Sequence, residues 1–107
     1  MASFGKFIRE EREKKGWSQT ELGALIKINT PLLSRIENDK KSLALDKVRL
    51  LANVFEMNFD EVKDLYFADK FAKDVFKYKC SENVFSVAKR QAHYLKEVNT
   101  TQGKLTF

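Results

Sequence analysis

The strongest constraint on how this chain can fold is a pair of short amphipathic segments that lie very close together. The stretch WSQTELGALIKINTPLLSRIEN spans residues 17–38, and only Lys27, Ile28 and Asn29 separate its two segments. Within each segment the apolar residues recur at helical spacing. So short a connection forces two helices to cross steeply. The sequence therefore predicts two short helices held in a fixed crossing.

Both of these helices have clear start signals. Ser18 and Glu21 predict a capping box, in which the serine hydroxyl accepts from the Glu21 amide and the carboxylate reaches back to the Ser18 amide. Asn29 or Thr30 can cap the other helix. Pro31 then falls in its first turn, where the missing N–H has no cost. The sequence thus predicts where each helix begins.

The remainder of the chain also has a helical pattern, since one proline and four glycines in 107 residues leave little room for strands and tight turns. A first helix is expected from Ser3, which can cap it, to about Gly16. Further helices should begin near residues 45, 58 and 81, the fifth running to about Tyr78 and the last to about Val98. In the second and fourth helices we expect these residues to be buried: Leu22, Leu25, Ile26, Leu45, Val48, Leu51, Ala52 and Phe55.

The third helix in chain order has two different faces. At roughly 100° per residue, Leu33 and Ile36 fall on one side, whereas Thr30, Ser34 and Arg35 fall on the other. A solvated face is more commonly filled with Glu and Lys, which favour helix. Short residues with one arginine instead suit close approach to another surface, and a B-DNA major groove about 12 Å wide admits one helix. The pattern favours a helix that reads DNA.

Composition narrows the classes of function. The formal net charge of +5 permits a polyanionic partner without proving one. One cysteine, Cys80, and one histidine offer almost no material for a disulfide or a metal site, so we expect no metal and no cofactor. No apolar run approaches the roughly 20 residues of a membrane span, and we expect a cytoplasmic protein. Without a recognisable nucleophile–base pair or glycine-rich phosphate loop, we expect no enzyme activity.

At this point a family resemblance becomes visible. Residues from about Phe4 to Val62 resemble the helix-turn-helix domain of the Xre, or lambda-repressor-like, family. The agreement lies in three stretches: REEREKKGWSQTELG, LLSRIEN and VRLLANVFEMNFDEV. The resemblance implies an all-α fold, a five-helix bundle that binds duplex DNA with its third helix in the major groove.

The resemblance also implies roles for individual residues. Gln19 begins the second helix, where its side chain and the exposed amides can hold a phosphate. Lys40 and Lys41 follow the third helix and can hold the other side of the groove. Arg12 is expected to pair with Glu37 beneath the third helix. The expected contacts are Gln19 with phosphate; Asn29, Thr30, Pro31, Ser34 and Arg35 with bases; and Asn38, Lys40 and Lys41 with the backbone.

Three positions depart from the family pattern. Lys27 stands where the turn usually has glycine, which costs on the order of 1 kcal/mol if the backbone there is left-handed. Asp39 stands where the family usually has glycine, and no proline follows Lys41. These departures affect loops and remove no expected core or contact residue.

The sequence beyond this domain predicts a helical extension for dimerisation. Val84, Ala88, Gln91, Leu95 and Val98 form a narrow stripe at spacings of four, three, four and three, which suits helix pairing. The many aromatic residues in 59–78 also exceed what one helix face can bury, and a dimer explains them better than a ligand pocket. We predict a helix-turn-helix DNA-binding domain over 1–66, a dimerisation extension over 67–98 and a flexible tail over 99–107.

The leading hypothesis is a homodimeric transcription regulator on a palindromic operator. One helix reads only about four base pairs, whereas two helices about 34 Å apart define a longer site. RNA polymerase is a further candidate partner. The length, the segment NTPLLSRIEN and the helical extension also resemble controller proteins of restriction–modification systems, which bind operators near their own gene. The alternative is an antitoxin-type protein-interaction module whose aromatic C-terminal hairpin neutralises a toxin, with DNA binding secondary.

Overall fold

The computed structural model of this chain describes residues 3–101, and all regular structure in that range is helical, as predicted. No helix in that range is both long enough and apolar enough to cross a bilayer. The six helices are α1 Phe4–Lys14, α2 Gln19–Ile26, α3 Thr30–Glu37, α4 Leu45–Val54, α5 Phe59–Lys77 and α6 Asn83–Thr101.

Local capping bonds fix the starts of the first three helices. Ser3 accepts from the Lys6 amide at the start of α1. Both bonds of the predicted capping box are present at α2, with Ser18 accepting from the Glu21 amide at 3.1 Å and donating its own amide to the Glu21 carboxylate at 3.0 Å. Asn29 caps α3, and its Oδ1 accepts from the amide of residue 32 at 2.8 Å. The helix starts therefore follow from local side-chain chemistry.

The chain divides between Phe71 and Ala72 into two compact units. In the first unit α3 packs against α1 and α2, and α2 also packs against α4. The first half of α5 contributes Val62 and Tyr66 to the core. The Tyr66 hydroxyl donates to the Leu43 carbonyl oxygen at 2.6 Å. The buried apolar residues are Phe4, Phe7, Ile8, Leu22, Ile26, Leu33, Ile36, Leu43, Val48, Leu51, Ala52, Phe55, Val62 and Tyr66.

Two leucines that we expected in the core are exposed. Leu25 and Leu45 each keep 45% of their surface accessible. On α2 the buried residues are Leu22, Gly23 and Ile26, and Leu25 lies roughly 100° from the centre of that face at about 100° per residue. Leu45 is the first residue of α4, and a helical side chain leans towards the N-terminus, so it extends past the helix end.

The second unit contains the last turns of α5 and the helix α6. Helix α5 ends at Lys77, one residue before the predicted end. Helix α6 begins at Asn83 and runs through Thr101, so the prediction of a tail without helix from residue 99 is wrong for 99–101. Neither glycine nor proline, the strongest helix breakers, occurs between Val98 and Gly103, and Asn99 alone does not end the helix. The rest of the predicted tail, 102–107, lies outside the described residues.

Candidate nucleic-acid interface

Close backbone contacts hold the turn between α2 and α3. Lys27 adopts the left-handed conformation, with φ 61° and ψ 45°. The amide of Ile28 donates to the Gly23 carbonyl oxygen at 2.9 Å. A Cβ on Gly23 would lie 2.7 Å from the Ile28 carbonyl oxygen, so only glycine allows this close approach. These contacts hold the end of α2 close to the start of α3, and the steepness of the crossing stays a prediction.

Helix α3 has the two faces that the sequence predicted. Leu33 and Ile36 are buried in the core of the first unit. On the opposite face Pro31 and Arg35 are exposed, and Ser34 is half-buried. The apolar face anchors the helix, while the small polar face with its arginine is open to a partner.

The cations at the end of α3 are available for contact. Arg35, Lys40 and Lys41 are all exposed, and within residues 3–99 their side chains form no ion pair or hydrogen bond. The amide of Lys40 donates to the Arg35 carbonyl oxygen at 2.8 Å, which turns the loop back towards the end of the helix. The structure therefore brings together three of the residues predicted to contact DNA.

An ion pair between the partly buried Arg12 and the buried Glu37 holds α3 in place, as the family resemblance implied. Arg12 of α1 donates to both carboxylate oxygens of Glu37, from Nε at 2.7 Å and from Nη2 at 3.0 Å. The hydrogen bond to Glu37 raises the pKa of Arg12, although desolvation opposes the shift. Arg12 also donates from Nη1 to the Trp17 carbonyl oxygen at 2.8 Å. The Arg12 guanidinium therefore joins α1 and the residue before the α2 cap to the end of α3.

Gln19 has a structural role that sequence reasoning missed. Its Nε2 donates to Oε1 of Glu37 at 3.0 Å, so Gln19 joins the network beneath α3. An amide nitrogen carries two hydrogens, and the second can still donate to a phosphate. The signal that could have found this bond is the burial of Glu37, since a buried carboxylate needs several donors.

Other predicted contact residues are oriented by partners within the fold. The hydroxyls of Thr20 and Thr30 lie 3.1 Å apart, a contact between α2 and α3 that the sequence did not suggest. Asn38 donates its side-chain amide to the Ser34 carbonyl oxygen at 2.8 Å. Asn29 uses its side-chain oxygen as the helix cap. These bonds fix side chains at both ends of the open face, while their contacts with bases and backbone stay predictions.

Comparison with known proteins gives a family match over the helices described above. Residues 8–62, more than half of the chain, match the sequence model of the Helix-turn-helix family. The chain belongs to the helix-turn-helix family. The domain is of the kind found in DNA-binding transcription regulators. No curated protein and no solved structure matches the chain.

Both departures from the family's glycine pattern lie at left-handed positions of this helix-turn-helix domain. Lys27 is in the helix-turn-helix turn itself, and Asp39, with φ 60°, follows α3. Asp39 compensates in part, because its Oδ2 accepts from the Ser3 hydroxyl at 2.8 Å and joins the loop to the start of α1. Each position costs on the order of 1 kcal/mol relative to glycine.

Proposed function

We propose that this protein is a sequence-specific, double-stranded DNA-binding transcription regulator that acts in the cytoplasm as a homodimer on a palindromic operator. The observation that carries the proposal is the outer face of α3, where Arg35 is exposed on a helix that the Arg12–Glu37 pair ties to α1. A helix supported in this way can enter a major groove about 12 Å wide without rearranging. The proposed activity is binding and needs no catalytic group.

Each side chain on this face has a chemical counterpart in the groove. Arginine donates two parallel bonds to guanine O6 and N7, and Ser34 or Thr30 can contact either kind of base pair. The ring of Pro31 can meet a thymine methyl. Lys40 and Lys41 are charges for the sugar–phosphate backbone, where contacts set affinity and register but carry no sequence information.

The homodimer is supported by the second unit taken by itself. None of the residues 72–99 is buried, and Phe76 keeps 87% of its surface accessible. Tyr94 and Leu95 of α6 are also exposed. Apolar side chains that stay in water gain no hydrophobic stabilisation, and a second copy could cover them. Two copies would also supply the second recognition helix that a palindrome requires.

Selection of bound sequences from a pool of random duplexes tests this proposal. We expect a palindromic consensus whose half-sites are about 34 Å, or one helical turn, apart. The matched control is competition between the selected duplex and a scrambled duplex of equal length and base composition. Equal affinity for the two duplexes would reject sequence-specific regulation.

A protein-interaction module of the antitoxin type is the second candidate, because Phe76 and Tyr78 are so exposed. In that case the aromatic surface binds a different protein, and DNA binding is secondary. Co-purification of a stable partner from the native host favours this function. A homodimer in which Phe76 and Val84 become protected on association argues against it.

Within the regulator proposal, we favour a controller of a restriction–modification system that regulates its own operon. The support is the resemblance of NTPLLSRIEN, together with the chain length and the helix α6. Adjacent genes for a methyltransferase and an endonuclease would agree with this role. Adjacent toxin or phage genes would contradict it, while leaving operator binding intact. RNA polymerase is a further proposed partner, tested by transcription from the selected operator.

A further inference from the structure

The turn before α3 brings together two lysines that are not among the predicted DNA contacts. Lys27 is exposed, and the half-buried Lys47 of α4 donates from Nζ to the Lys27 carbonyl oxygen at 3.4 Å. Within residues 3–99 neither ammonium forms an ion pair. Two cations therefore lie at one turn without a carboxylate to neutralise them.

Packing does not account for a lysine at position 27. The left-handed backbone, at φ 61°, favours glycine, and any L side chain there is strained. The Lys27 side chain is exposed and adds nothing to the core. What lysine provides at this position, and glycine does not, is a positive charge on a long stem.

The position of that charge suggests its partner. Lys27 precedes Asn29, the cap of α3, by two residues, so the two Cα atoms are within about 8 Å of each other. In a helix-turn-helix complex the helix before the recognition helix crosses the DNA backbone, so the turn that joins the two helices lies near phosphates. Lys40 and Lys41 lie beyond the other end of α3.

We propose that Lys27 and Lys47 form a phosphate clamp, which binds the DNA backbone on the N-terminal side of α3. This inference rests on the proposed DNA-binding function and extends it to two residues outside the predicted interface. The clamp binds every sequence alike, because phosphates carry no base identity. It complements the contact that Lys40 and Lys41 make at the C-terminal side.

Counterion release gives the clamp a measurable signature. Log affinity falls linearly with log salt concentration, and each neutralised phosphate makes this fall steeper by about 0.9. At about 0.1 M salt that difference is roughly eightfold in affinity. Lys27→Gly removes the charge and also relieves the left-handed strain. We therefore expect this variant to unfold at a higher temperature while it binds DNA more weakly.

The experiment measures thermal unfolding and the salt dependence of binding to a short duplex of mixed sequence. For Lys27→Gly we expect a rise in Tm of a few degrees and a salt dependence that is less steep by about 0.9. Lys47→Gln should lower the slope similarly without raising Tm. Lys79→Gly is the matched control, because Lys79 is exposed and left-handed at φ 55°, but follows α5. It loses the same charge and should keep the wild-type slope.

Two results would overturn the clamp. A wild-type salt slope in Lys27→Gly would show that Lys27 is only a solvated cation in a strained turn. An equal loss of slope in Lys27→Gly and Lys79→Gly would show that net charge alone is responsible. Failure of the proposed function is distinguishable from both, because wild-type protein would then fail to prefer its selected duplex over the scrambled one.

Discussion

The two units of this molecule are both helical, but they differ in what their apolar faces meet. In the first unit, residues up to Phe71, apolar residues from α1 to α5 form one buried core. In the second unit, α6 has the regular stripe of Val84, Ala88, Gln91, Leu95 and Val98, and no side chain among residues 72–99 is buried. An amphipathic pattern therefore predicts that a helix has an apolar face, but it does not say what covers that face.

The same contrast holds for side-chain pairs that include a carboxylate. Arg12 and Glu37 form an ion pair in which the side chains keep 11% and 2% of their surface accessible. His93 and Glu97 on α6 form a pair at 3.1 Å in which the values are 72% and 65%. Water screens the second pair, whereas the first lies where an unpaired charge is costly.

Breaking these two side-chain contacts should give the largest difference between the units. Arg12→Ala leaves the Glu37 carboxylate buried without its main partner, and we expect a loss of about 3–5 kcal/mol in the free energy of unfolding. His93→Ala should change it by no more than about 0.5 kcal/mol. Urea denaturation of both variants measures the difference. Similar losses in the two variants would remove the distinction between the units.

A pair of leucine substitutions gives a slightly smaller effect of the same kind. Leu33→Ala opens a cavity in the core, where Leu33 is fully buried, and should cost about 2–5 kcal/mol. Leu95→Ala affects a side chain that is 41% exposed, and it should cost less than about 1 kcal/mol in the monomer.

The leucine at position 95 has a second readout. If α6 pairs in a homodimer, Leu95→Ala should shift the sedimentation equilibrium towards the monomer. The core of the first unit around Leu33 should stay unchanged. A dimer as stable as wild type would exclude the α6 stripe from the interface.

The smallest expected effect concerns the cap of α2. The pKa of the Glu21 carboxyl lies below its ordinary value of 4.5. The larger cause is the hydrogen bond from the Ser18 amide, and the smaller is the hydrogen bond with the Ser18 hydroxyl. Because the folded state favours the charged form, this contribution to stability is present above pH 4.5 and is lost as pH falls through the lowered value. Glu21→Gln should therefore lose slightly less Tm than wild type on acidification. An unchanged pH dependence in this variant would contradict the assignment.

Much of the first unit was predictable because its signals are local. The caps at Ser18 and Asn29, the turn at Lys27 and the two faces of α3 all depend on residues within one or two turns of each other. Arg12–Glu37 was expected only through the family resemblance. These features agree with the structure because local propensity and the fold favour the same arrangement.

What the sequence did not reveal depends on how helices cross. The bond from Gln19 to Glu37 and the contact between Thr20 and Thr30 join residues on different helices. They exist because α2 packs against α3, which local patterns in the sequence do not specify. Leu25 was assigned to the core because helical spacing alone cannot tell the centre of a buried face from its edge. The sequence also did not indicate the lysine pair at the α2–α3 turn. Lys47 belongs to α4, and it reaches the Lys27 carbonyl oxygen only in the folded domain.

Base reading by α3 is tested most directly by the effect of Arg35→Ala on binding to the selected duplex and to the scrambled duplex. We expect a loss of about 1–3 kcal/mol on the selected duplex, with relaxed preference at one base pair and little change on the scrambled duplex. Lys40→Ala serves as the control and should weaken both duplexes alike. Equal losses on the two duplexes for Arg35→Ala, or no loss on either, would contradict the claim that α3 reads bases with its exposed face.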